Sequence, residues 1–208
     1  MLVLSIFLLL WYLLDLRGRK ETTRLYPASL LDTGEILVLG IFWQYAADMI
    51  LLLLSEICPV WYQNYMEKLS SGGMSEITFG AFLLSVIFAP VFEELLYRGV
   101  LFRKLMDYLP FGLCNIVQAA FFGMAHKNLI QGMIAFLLGL LLGWMAKYYR
   151  SIFPSVFLHI VINLFGWMNY ALQLGEFQKG IIAAASGAVI VAMCRKRIRE
   201  KKNGSECS

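Results

Sequence analysis

Five side chains set in apolar surroundings could do chemistry: Glu93, Glu94, His126, His159 and Asn163. The chain of 208 residues has only two histidines, and both lie inside long apolar segments. The acidic pair closes another such segment. An ionisable group in lipid costs a few kcal/mol at least, so residues of this kind mark function by default. A carboxylate can take a proton from water, and an imidazole can relay that proton. An imidazole or an amide can donate hydrogen bonds to a developing oxyanion. Together these are the groups that activate water for hydrolysis.

Spacing sorts them further. On a helix, Glu94 and Arg98 are four apart, share a face and can form an ion pair. Glu93 lies about 100° round the helix and lacks that local partner, which leaves it free to act as a general base. Pro90, one turn earlier, can kink the helix and aim the acids inward. Phe122 and His126 are also four apart, so the ring can cover the imidazole. His159 and Asn163 repeat the spacing, with imidazole and amide on one stripe. Plainer readings stand beside these. The acids can flank the cytoplasmic interface with Arg103 and Lys104. His126 can be a packing residue ahead of Lys127 and Asn128. His159 and Asn163 can make interhelical hydrogen bonds of about 1 kcal/mol or less.

Depth relates the three segments. At 1.5 Å per residue, Glu93 lies about 15 Å from the basic loop at Arg103, and His159 about 14 Å from Arg150. His126 lies about 16 Å deep if its helix begins at Asn115, and about 22 Å deep if it begins at Phe111. The groups share a level near the bilayer midplane provided the fourth span tilts or starts late.

The elements that must hold these residues follow from composition. The chain is 60% hydrophobic and 15% charged, where a soluble domain carries about 25% charge. An all-α, polytopic transmembrane helical bundle is expected. A span needs about 20 apolar residues, and seven candidates occur: 1–16, 35–57, 77–102, 111–128, 129–148, 152–172 and 177–194. Residues 1–16 read as a retained span, because Arg17, Arg19, Lys20 and Arg24 follow the apolar run, whereas a signal peptide has its basic residues in front. The stretch 59–76 reads as a linker with a short interfacial helix. Ser75 with Glu76 is expected to cap the third span, and Pro154 to sit in the first turn of the sixth. Three regions result: 1–76 for the N-terminal spans and linker, 77–172 for a catalytic helical core, and 173–208 for the last span and a solvated, irregular basic tail.

Charge sets an orientation. With the N-terminus outside and the C-terminus cytoplasmic, fifteen of the eighteen Lys and Arg residues, Arg98 among them, fall on the cytoplasmic side. Only Lys68, Lys127 and Lys179 fall outside, as the positive-inside rule requires. Topology accounts for the basic residues, so nucleic acid is not expected as a partner. Cys58, Cys114, Cys194 and Cys207 show no paired spacing, so neither a disulfide nor a zinc knuckle is expected. Asp48 with Gln44 reads as a structural hydrogen bond to a neighbouring helix. Ala135, Gly139 and Gly143 form a small-residue stripe for close helix packing.

Taken in order, Glu93-Glu94-x-x-x-Arg98, Phe122-x-x-x-His126 and His159-x-x-x-Asn163 resemble the three motifs of the CAAX protease and bacteriocin-processing family, the Abi-type intramembrane endopeptidases. The resemblance covers roughly residues 77–170. It implies a helical membrane fold with a conical cavity open to the cytosol, in which Glu93 and His126 activate water and His159 and Asn163 form the oxyanion site. Glu94, Arg98 and Phe122 are then supporting residues. Two mechanisms stay open: glutamate-activated water without metal, or zinc held by Glu93, His126 and His159. The implied substrate is a prenylated protein or another peptide or lipid-anchored protein, met within membrane lipid. The compact length points to a bacterial plasma membrane. A non-catalytic bacteriocin self-immunity or scaffolding protein is the alternative.

Overall fold

The computed structural model describes residues 30–69 and 78–205. The expected span 1–16 and the Ser75 cap lie outside the described residues. Among the described residues seven helices follow in order: α1 Leu30–Ile57, α2 Pro59–Leu69, α3 Phe79–Leu105, α4 Phe111–Ala125, α5 Leu129–Tyr149, α6 Phe153–Leu172 and α7 Glu176–Ser205. Among the described residues there is no strand. The helices α1, α3, α5, α6 and α7 are long and apolar enough to cross a membrane. Helix α4 has only 15 residues, or about 22 Å, less than the roughly 30 Å of a hydrocarbon core. It starts at Phe111, the earlier of the two sites considered, and stops three residues short of the expected end.

Local chemistry explains the helix limits. Thr78 caps α3: its Oγ1 accepts from the Ala81 N–H at 3.2 Å. Pro154 lies in the first turn of α6, where its missing N–H has no intrahelical use. The turn between α4 and α5 places Lys127 at φ 54, and Asn128 Oδ1 caps α5 by accepting from the Gln131 N–H at 3.1 Å. The last helix runs on to Ser205, where an irregular tail was expected. Its Arg, Lys and Glu residues are good helix formers, and no proline interrupts them.

Helix α3 is not uniform. It widens to π-helical geometry at Leu84–Phe88 and again at Leu95–Phe102, on either side of the short α-helical stretch that bears the acids. Such wide turns often mark functional sites.

Small residues let the helices close. A Cβ on Gly139 of α5 would stand 3.0 Å from Ala119 of α4, and one on Gly143 would strike the Asn115 side chain. Gly40 of α1 faces Val161 of α6 in the same way. The main core joins Ile36 of α1 with Leu138, Leu142 and Met145 of α5 and Leu158 and Ile162 of α6. Asp48 accepts from Gln44 Nε2 at 3.2 Å and from Asn169 Nδ2 at 2.7 Å, which ties α1 to α6. The short helix α2 reaches the α4–α5 turn, where Lys68 Nζ donates to the carbonyl of His126. Lys68 and Lys127 therefore share one end of the bundle.

Candidate active site

Two neighbouring acids on α3 have different fates. Glu94 is fully buried, and its Oε1 accepts from Arg98 Nη1 at 2.7 Å. The same oxygen lies 3.0 Å from His159 Nδ1 of α6. A carboxylate bound to a guanidinium is an acceptor, so the imidazole proton belongs on Nδ1. Glu93, with 28% of its side chain exposed, presents Oε2 to the other ring nitrogen, 3.7 Å from His159 Nε2. That gap exceeds a direct hydrogen bond.

Arg98 is fully buried, so it is no marker of the cytoplasmic surface. The basic group on the expected cytoplasmic side therefore loses one member. Arg98 Nη2 donates to the Gly139 carbonyl at 3.2 Å, and its guanidinium lies 4.5 Å from the centre of the Phe122 ring. The Gly139 carbonyl also accepts from Gln118 Nε2 at 2.8 Å, and Gln118 in turn bonds the Asn115 amide oxygen at 2.9 Å. Sequence reasoning passed over Gln118 and Asn115. The available signal was two amides three residues apart in an otherwise apolar helix.

His126 terminates α4. Its Nδ1 lies 2.8 Å from the Phe122 carbonyl, and a carbonyl only accepts, so Nδ1 carries the proton and Nε2 keeps its lone pair in the neutral ring. The Phe122 ring packs against both imidazoles at close to a right angle, with centroid distances of 5.0 Å to His126 and 5.8 Å to His159. Glu93 interacts electrostatically with both histidines, with Glu94 and with Arg98. The structure thus gathers Glu93, Glu94, Arg98, Phe122, His126 and His159 around one level of the bundle. Asn163 is engaged elsewhere: its Nδ2 donates to the Ser85 carbonyl at 2.9 Å. Beside it, Trp167 Nε1 donates to Ser85 Oγ at 2.6 Å.

The two Nδ1–H tautomers would suit ligation through Nε2. Even so, among the described residues no three His, Cys, Asp or Glu side chains are grouped so as to hold a metal ion. Glu93, His126 and His159 as placed do not fit a zinc. An open groove of about 640 Å³ runs along the α4–α5 hairpin, lined by Gly123, Met124, Lys127, Gly132 and Phe136 among others. None of Glu93, His126 and His159 lines it.

Membrane-length helices enclosing a cluster of acids, imidazoles and a guanidinium define an integral membrane protein whose ionisable groups are gathered inside the bundle. Comparison with known proteins agrees with the motifs. Residues 75–165, the stretch holding all three, match the family model described as Type II CAAX prenyl endopeptidase Rce1-like. A Bacillus subtilis (strain 168) protein named "Putative membrane peptidase YdiL" is 23% identical over 83 residues, 40% of this chain. The matched stretch spans only 34% of the length of that curated relative. No solved structure matches the chain.

Proposed function

We propose that the chain is an intramembrane endopeptidase in which Glu93 activates water. One observation carries this reading: of two adjacent acids, Glu94 is locked between Arg98 and His159, while Glu93 is left partly exposed and faces His159 Nε2. The Rce1-like match over the motif-bearing stretch supports it. Glu93 takes a proton from water as the water oxygen attacks the peptide carbonyl carbon. The negative charge moves to the carbonyl oxygen. His159, in its protonated form, donates from Nε2 to that oxyanion, with Glu94 holding Nδ1 in place. His126 offers its Nε2 lone pair to the same water. When the C–N bond breaks, the proton held by Glu93 passes to the leaving amine.

The substrate is a prenylated, CAAX-type protein or another membrane-associated peptide. In a bacterial plasma membrane it is a peptide pheromone, a bacteriocin precursor or a similar membrane-bound chain. The test is cleavage of a panel of such peptides by wild type and Glu93→Gln side by side. The variant folds and loses cleavage. A Glu93→Gln protein that still cuts removes Glu93 from the base role. Immunity that survives loss of both Glu93 and His126 favours the non-catalytic alternative.

A further inference from the structure

The wide turn at Leu84–Phe88 leaves one backbone carbonyl without its natural partner. In this turn the Ala89 N–H bonds to the Leu84 carbonyl, five residues back. The next bond of the series would run from residue 90 to the Ser85 carbonyl. Residue 90 is proline, which has no N–H. A carbonyl left unpaired in a bilayer finds no water to replace the bond. Asn163 Nδ2 donates to it at 2.9 Å. The neighbouring Trp167 closes the same junction through Ser85 Oγ.

We infer that Asn163 is a positioning residue: its amide substitutes for the N–H that Pro90 lacks, and so sets the register of α3 against α6. Both helices carry reacting groups close to this strap. Asn163 lies one turn beyond His159, and Ser85 lies two turns before Glu93. Fixing Ser85 to Asn163 therefore fixes the height at which Glu93 and Glu94 meet the His159 ring. The amide has a second N–H, but the strap decides where it points. This inference rests on Glu93 and His159 being the reacting pair, yet its test needs no substrate.

The test is a suppressor pair: Asn163→Ala, Pro90→Ala and the double variant. Pro90→Ala restores a backbone N–H five residues beyond Ser85. Two measurements are made on detergent-solubilised protein. One is the thermal unfolding midpoint. The other is the imidazole 15N spectrum, which is simple because the chain has two histidines. Asn163→Ala lowers the midpoint by roughly 2–10 °C, as expected for an orphaned carbonyl in a chain of this size. It also shifts the His159 Nδ1 resonance as the Glu94 bond loosens. The double variant recovers both. If Asn163→Ala does not fold, folding of the double variant supports the strap, and its failure to fold overturns it. A His159 resonance that stays put in Asn163→Ala, or a double variant no better than the single, also overturns it.

Discussion

Glu94 and Arg98 stand or fall together. Both are fully buried and held at 2.7 Å, and removing one partner strands the other charge, at a cost of about 3–5 kcal/mol. Arg98→Met is therefore expected to lower unfolding stability by that order, and Glu94→Gln combined with Arg98→Met to recover much of it, as read by denaturant titration in detergent. Glu93→Gln, next door but partly exposed, is expected to leave stability near wild type while abolishing cleavage. Under the proposed reading, treatment with a chelator is expected to leave cleavage intact, since the three candidate donors as placed do not fit a metal. Loss of activity restored by zinc would reverse that assignment. The pairing of Glu94 with Arg98 was legible from a spacing of four. The contact of Glu94 with His159 was not, because it crosses 65 residues of chain. Asn163 shows the limit of motif reading: an interhelical hydrogen bond was its plainer reading and is what it makes, but its place on the His159 stripe does not name the Ser85 carbonyl as the partner.

At the scale of the element, the α4–α5 hairpin decides where Arg98 and His126 go. Its close approach depends on Gly139, whose carbonyl also receives Arg98 and Gln118. Gly139→Leu forces a side chain into Ala119 and is expected to destabilise by about 1–3 kcal/mol, measured as an unfolding midpoint. The small-residue stripe that foretold this packing was plain in the sequence. The length of α4 was harder to read, because residues 111–148 form nearly one apolar run, in which His126-Lys127-Asn128 is the longest polar interruption. Hydropathy counts apolar residues and cannot see that Lys127 turns the chain at φ 54 or that Asn128 caps the next helix. Nor does it see Lys68 of α2 gripping the His126 carbonyl. Nor does hydropathy single out Thr78 as the residue that caps α3, which only its geometry shows.

For the molecule as a whole, the basic residues predict the sidedness of the bundle. Lys127 and Lys147 lie at opposite ends of α5 and are both exposed. Single cysteines at these positions in a cysteine-free background should separate the two faces. With the proposed orientation, Lys127→Cys reacts with a membrane-impermeant maleimide in intact cells, and Lys147→Cys reacts only after lysis. The reverse pattern inverts the topology. Fold class was the most legible property, because 60% hydrophobic residues in runs of about 20 admit few alternatives in lipid. The basic tail was the least legible: its charge suits solvent, and its residues suit a helix equally well.

A wide turn is equivalent to one surplus residue slipped into a regular helix, with the faces before and after it still aligned. Within Leu84–Phe88, Ile87 points outward, 38% exposed, and no hydrogen bond of its side chain is at stake. Excising Ile87 lets α3 revert to ordinary winding while Glu93 and the residues upstream keep their bearings. The residue then four beyond Ser85 is still the proline, so the demand on Asn163 survives the shortening. Between Leu84 and Glu94 indel tolerance should therefore peak sharply here: a protein lacking Ile87 accumulates in the membrane, whereas one lacking Val91 turns the acids away from their partners and is degraded.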